Sequence, residues 1–254
     1  MGRIISVANQ KGGVGKTTTA INLSACLAQA GKRVLVIDSD PQGNTTSGFG
    51  VDKESLERTV YTMLLRQHRI DEVTIETGIP NLNILPANVE LAGAEIELVE
   101  TKRREYIMKT ALADVKYLYD FIIIDCPPSL NMLTINALTA SDSVLVPIQC
   151  EYFALEGLSQ LMHTIELVKK RLNPLLALEG VVFTMYDART NLSMQVIEEV
   201  KNHLGKHIYR TVVPRNVRLS EAPSHGVPIT LYDAKSKGAE SYMQLAEEVI
   251  AKII

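Results

Sequence analysis

Cysteine is scarce in this chain. Three residues, Cys26, Cys126 and Cys150, occur in 254; the number is odd and the spacing is not that of a metal site. This predicts reduced thiols in a cytosolic protein and excludes a disulfide framework. Long hydrophobic runs are missing too. No stretch approaches the roughly 20 residues of a membrane-spanning helix. Charge of one sign is also lacking, with a formal net charge of -3. Any nucleic-acid binding must therefore come from a local patch. There is no Pro/Gly/Ser-rich linker, low-complexity run or internal repeat, so residues 1–254 read as a single domain. The first strand-like run follows directly on Met1-Gly2-Arg3. Neither a signal peptide nor an N-terminal DNA-binding module is expected.

What is present is a loop for phosphates. Residues 10–18 read Gln-Lys-Gly-Gly-Val-Gly-Lys-Thr-Thr, between an apolar run (Ile4, Ile5, Val7) and a helical pattern. The phosphate-binding pattern G-x-x-x-x-G-K-[ST] fits at Gly15-Lys16-Thr17, with Gln10 where its first glycine would stand. Gly12, Gly13 and Gly15 let the backbone come close to a ligand. The N–H groups around Val14 and the start of the following helix then converge on phosphate oxygens. Lys16 is expected to reach the β- and γ-phosphates, Thr17 to bind Mg²⁺ and Thr18 to support the α-phosphate. A second lysine, Lys11, is surplus to one nucleotide. Its charge points to another phosphate, and whether that phosphate sits on this chain or on a partner subunit is left open by these residues.

Two further apolar runs end in carboxylates. Residues 33–38 (Arg-Val-Leu-Val-Ile-Asp) continue Ser39-Asp40-Pro41-Gln42-Gly43-Asn44, and residues 121–125 (Phe-Ile-Ile-Ile-Asp) continue Cys126-Pro127-Pro128-Ser129. Continuous apolar runs fit strands covered on both faces. Ligands sit at the carboxyl ends of such strands. Each aspartate alone reads equally as a turn or helix cap. Asp38, Asp40 and Asp125 together, beside a phosphate loop, point to a metal and water site.

Strands are predicted over 3–8, 33–38, 82–86, 120–125, 143–148, 179–185 and 208–213. Helices are predicted over 16–30, 55–67, 89–117, 130–140, 153–172, 191–204 and 238–253. The alternation predicts an α/β fold, a mainly parallel sheet with helices on both faces. Gly31 is expected to stop the first helix, and Pro174 lies just past another. Residues 43–80, polar and weakly periodic, are expected to form a mobile segment near the ligand.

These residues resemble the ParA/Soj-type partitioning ATPases, in the deviant Walker A class that includes MinD and the nitrogenase iron protein. The matching pieces are residues 11–18, Asp38-Ser-Asp-Pro-Gln-Gly-Asn44, Asp125-Cys-Pro-Pro-Ser129, Gln149-Cys-Glu-Tyr-Phe-Ala-Leu-Glu-Gly157 and Pro214-Arg-Asn-Val-Arg-Leu-Ser-Glu-Ala-Pro-Ser224. The resemblance implies a P-loop NTPase fold and an ATP-bound sandwich homodimer, with Lys11 crossing to the partner's nucleotide. It implies Mg²⁺ bound by Thr17 directly and by Asp125 and Asp38 through water, with Asp40 positioning the attacking water. Adenine would lie against Met185, Pro214 and Asn216, although Met185 also reads as an ordinary buried strand residue. Arg189 and Arg218 would hold double-stranded DNA without sequence preference, where the sequence by itself shows only two loop arginines. A ParB-type centromere-binding protein would stimulate slow hydrolysis, and the protein would be cytoplasmic and nucleoid-associated.

Three rival readings each require a feature of their own. A MinD-like membrane-associated ATPase needs a basic amphipathic tail, whereas Leu245–Ile254 carries Glu247, Glu248 and a single lysine and reads as a core-packing helix. An iron–sulfur reductase needs cysteines from two subunits at a cluster. A metabolic P-loop enzyme needs an acceptor pocket, and no second constellation of residues builds one.

Overall fold

In the computed structural model, residues 2–151, 154–187, 189 and 191–252 are described. Eight strands form one sheet among them: β1 (Arg3–Val7), β2 (Val34–Asp38), β3 (Ile75–Glu76), β4 (Leu82–Leu85), β5 (Phe121–Asp125), β6 (Ser143–Gln149), β7 (Ala177–Tyr186) and β8 (Ile208–Pro214). Their order is β3-β4-β2-β5-β1-β6-β7-β8. All neighbours run parallel except the short β3, which is antiparallel to β4.

The continuous apolar runs have a direct structural reading. Side chains alternate across a strand, and here both faces are covered. On one face Ile4, Leu35, Ile37, Ile122 and Ile124 join a core with Leu112, Leu138 and Leu161. On the other, Ile5, Val7, Val34, Val36, Phe121 and Ile123 join a core with Leu23, Leu27, Tyr242 and Leu245. The first core is closed by the helices Ile107–Ala113, Met132–Ala140 and Ala154–Arg171; the second by α1 (Lys16–Gln29) and the helix Lys237–Ala251.

The chain path places the site. After β1 it moves outward to β2 and β4, returns to insert β5 between β2 and β1, then continues on the other side with β6. This reversal opens a crevice at the carboxyl ends of β1, β5 and β2. Asp38 and Asp125 end neighbouring strands in register. The first helix stops as expected: Gly31 sits at φ 78°, and its N–H bonds Ala28 O at 2.9 Å.

Two segments differ from expectation. The helix predicted over 55–67 is one short helix, Val60–Leu64, and residues 43–80 also hold α2 (Asn44–Gly48) and Ile70–Val73. Val60, Met63, Leu64, Ile70 and Val73 are buried in the first core, so this segment is packed rather than loose. One-turn helices are too short to show a 3.6-residue period. The long helix predicted over 89–117 is likewise broken into the α-helices Ala94–Glu97 and Ile107–Ala113 with 3₁₀ turns around them. Arg103, at φ 57°, turns the chain between them. The expected start of a helix at Phe153, its neighbour Tyr152, and the last residues of the C-terminal pattern, Ile253 and Ile254, lie outside the described residues.

Candidate active site

The loop between β1 and α1 is fixed from below. Asn9 Nδ2 donates to Pro147 O at 2.8 Å, and Asn9 Oδ1 accepts from the Lys11 N–H at 3.0 Å. Thr184 on β7 donates to Val14 O at 2.8 Å. Gly13 and Gly15 take φ of 74° and 84°, the left-handed region that a side chain would strain. Val14 is buried and turns its side chain inward. The loop leads straight into α1, whose first turn contains no acidic residue of its own. Such a terminus accepts an anion.

Lys16 is buried, and its ammonium donates to Lys11 O at 2.9 Å. Burial pulls its pKa below the ordinary lysine value, opposed chiefly by the charge of Asp125 and also by that of Asp40. A buried cation whose hydrogen bond goes to a loop carbonyl fits an anion that would take the carbonyl's place. Lys11 points elsewhere. Its Nζ pairs with Glu151 at 2.5 Å, with both side chains partly exposed.

The three aspartates do converge. Asp125 Oδ2 accepts hydrogen bonds from Thr17 Oγ1 at 2.8 Å and Thr45 Oγ1 at 2.7 Å. Its Oδ1 is buried with no partner. Asp38 Oδ2 accepts from the N–H and hydroxyl of Thr46 at 2.8 and 2.7 Å, and its Oδ1 from the Asp40 N–H at 3.2 Å. Burial pushes both carboxyls above the carboxylate range, and for Asp125 the neighbouring Asp38 charge adds to the push. Asp40 Oδ1 accepts from the Gln42 N–H at 2.9 Å, and Asp40 borders the cavity described next.

One cavity of about 500 Å³ runs along this loop, within the range of small-ligand sites. Gly12, Gly13, Gly15, Lys16, Thr17 and Thr18 line it, together with Met185, Pro214 and Asn216. Met185 holds φ 48°, an uncommon conformation for a long side chain and one that clusters at ligand sites. Among the described residues no group of three or more His, Cys, Asp and Glu could hold a metal ion. A hard cation here would need oxygens from a bound ligand and water besides Thr17 and Asp125, the usual habit of Mg²⁺. The orphaned Asp125 Oδ1 and the Thr17 hydroxyl beside it fit that arrangement.

The two arginines assigned to DNA lie outside the cavity. Arg189 sits in the turn after β7, whereas Arg218, expected in a loop, lies in the short helix Val217–Glu221, because the Asn216 side chain accepts from the Arg218 N–H and caps a helical turn there. Arg189 is highly exposed and forks onto Asp187 at 2.6 and 2.9 Å. Arg218 pairs with Glu221 at 2.9 Å and Asp233 at 3.6 Å. Ala188 and Thr190, beside Arg189, lie outside the described residues. Sequence reasoning missed Thr45, Thr46, Thr184 and Glu151. The first two follow directly on the Asp38–Asn44 segment, and Glu151 lies in the segment starting at Gln149. Thr184 carries no local signal, because its partner is 170 residues away.

The chain is similar to known proteins along nearly its whole length. A family described as "AAA domain" matches residues 2–178. The chain is 62% identical over 251 residues to the sporulation initiation inhibitor protein Soj of Bacillus subtilis, covering 99% of each chain. It is 55% identical over 252 residues to the chromosome partitioning protein ParA of Myxococcus xanthus, covering 99% of this chain and 89% of that one. A structure named cobyrinic acid a,c-diamide synthase from Mycobacterium smegmatis, with bound ATP analogue and magnesium, superposes with a TM-score of 0.85 at 39% identity, covering 98% and 95% of the two chains. The septum site-determining protein MinD from Pyrococcus horikoshii, complexed with Mg-ADP, gives 0.80 at 28% identity, covering 100% and 98%.

Proposed function

The chain belongs to the Soj/ParA family of chromosome-partitioning ATPases, and from that premise we propose that it is an ATP-driven switch closing into a homodimer on DNA. The observation that carries this reading is the division of labour between the two loop lysines. Lys16 borders the cavity, while Lys11 stands outside it on Glu151. One nucleotide uses Lys16, leaving Lys11 for the nucleotide of a second copy.

ATP lies along the cavity, phosphates on residues 12–18 and adenine against Met185, Pro214 and Asn216. Thr17, Asp125 and Asp38 would hold Mg²⁺, which would supply charge neutralisation on the phosphates. Asp40 positions the attacking water. Phosphoryl transfer needs mainly placement and charge neutralisation. A protomer whose second lysine is tied to Glu151 therefore hydrolyses slowly. Closure of the dimer brings the partner's Lys11 to the phosphates. Arg189 and Arg218 hold double-stranded DNA of any sequence, giving nucleoid association, and a ParB-type protein stimulates hydrolysis and release.

The rivals have less support. The apolar face of Lys237–Ala251 is spent on the second core through Leu245, Ala246 and Val249, which leaves little for a membrane. No described helix is long and apolar enough to cross one. Burial pushes the thiols of Cys26 and Cys126 up to about 12 and that of Cys150 to about 11, against the thiolate that a cluster requires. For a metabolic P-loop enzyme, a second depression among the described residues, edged by Arg210, Gln244 and Glu248, lies beside β8 and shares no residue with the phosphate loop.

Sedimentation of the protein with ATP and Mg²⁺, with and without DNA, tests the proposal. The expected result is a nucleotide-dependent dimer that co-sediments with DNA. A monomer under saturating ATP would overturn it. Lys16→Ala is expected to abolish nucleotide binding in calorimetry, and ATP affinity equal to the wild type would remove Lys16 from the site.

A further inference from the structure

The first turn of α2 carries two adjacent threonines, both fully buried. A buried hydroxyl costs stability unless it is hydrogen-bonded, and each of these is bonded to a strand-end carboxylate. Thr46 clamps Asp38 and also accepts from the Ala87 N–H at 2.9 Å, which makes it a structural tie. Thr45 differs. Its hydrogen goes to Asp125 Oδ2, the same oxygen that Thr17 uses. Each hydroxyl has a single hydrogen to give. Two donors from two separate elements on one oxygen fix the plane of the carboxylate and leave the other oxygen, Oδ1, without a partner.

Thr45 also lies five residues beyond Asp40, on the segment bound to Asp38 by the Asp40 and Thr46 N–H groups. The chain Thr17–Asp125–Thr45 therefore ties the start of α1 to the segment that carries Asp40. We infer that Thr45 is a positioning residue for ATP hydrolysis: its hydroxyl orients Asp125 and through it registers the Asp40 segment against the phosphate loop. This rests on the reading in which Thr17 and Asp125 hold Mg²⁺.

The full chain with Thr45→Val, Thr45→Ala or Thr45→Ser tests this. ADP affinity is measured by calorimetry in EDTA and in Mg²⁺, and kcat and KM for ATP are measured in parallel. Removing one hydrogen bond to a charged group carries a factor of about ten or more. Valine and alanine are expected to keep the EDTA affinity within about threefold, to lose about tenfold of the gain in affinity that Mg²⁺ gives, and to lower kcat by at least about tenfold with KM moving less. Serine is expected to restore both. A wild-type Mg²⁺ gain and kcat in Thr45→Val overturn the inference, as does a serine variant as impaired as the valine one. Loss of EDTA affinity in Thr45→Val and Thr45→Ala alike assigns Thr45 to folding alone and also overturns it. Asp125→Asn separates the failures. If it keeps the Mg²⁺ gain, the metal reading itself falls; if it loses the gain while Thr45→Val does not, only the role of Thr45 falls.

Discussion

At Gly12 a Cβ would meet nothing within 4 Å, and the backbone there is not in the left-handed region. A side chain at this position is therefore tolerated by the protomer. Gly12→Val is expected to fold, to bind ATP and to fail to dimerise, because the branched side chain projects where a second copy must approach. An ATP-dependent dimer of this variant in light scattering would refute the closure geometry. Lys11 shows the same separation between protomer and assembly. Its pair with Glu151 is partly exposed, and such pairs are worth about 0–1 kcal/mol. Its release to a phosphate therefore meets little resistance. The phosphate loop, with its glycines, Lys16 and Thr17, was legible because the chemistry lies within nine consecutive residues. The clamp of Thr45 on Asp125 was not, because it joins positions 80 apart in sequence.

Between elements, the far end of the sheet is held by Glu179. Its side chain is fully buried and accepts from Ser143 Oγ at 2.6 Å and Tyr209 OH at 2.7 Å, with Arg3 as its ion partner. Lys252 donates to its carbonyl at 2.8 Å and lies over the Tyr209 ring. The carboxylate thus links β1, β6, β7 and β8, and the backbone carbonyl of the same residue holds the end of the last helix. Breaking a buried charge network from one side costs about 3–5 kcal/mol. Glu179→Ala is expected to lower unfolding free energy by about that amount in urea denaturation, with nucleotide affinity of the folded fraction unchanged. A change under about 1 kcal/mol would show the network to be dispensable. Strands β1, β2 and β5 were legible as apolar runs, because burial on both faces leaves nearly every interior position apolar, Ser6 of β1 excepted. The short helices of residues 43–80 and 89–117 were not, since one turn of helix is stabilised by what it packs on rather than by its own period.

For the whole molecule, the DNA reading depends on two arginines per protomer that are each paired locally, Arg189 with Asp187 and Arg218 with Glu221. Both pairs are exposed, so a phosphate can replace the carboxylate at small cost. A dimer offering about four such contacts gives a salt slope near −4, and affinity falling on the order of a hundredfold between about 50 and 200 mM salt. Arg189→Glu with Arg218→Glu is expected to abolish DNA retention while leaving the ATP-dependent dimer intact. Unchanged retention would place the DNA surface elsewhere.

The sequence by itself determined the layered α/β architecture, the phosphate loop and the class of chemistry, because each is written in residues that are contiguous or that repeat with a fixed period. Only the tertiary structure decided which carboxylate oxygens are spoken for, which one is left bare, where Lys11 rests and which distant strand props the loop. Those are contacts between segments far apart along the chain, and no local pattern encodes the distance that closes them.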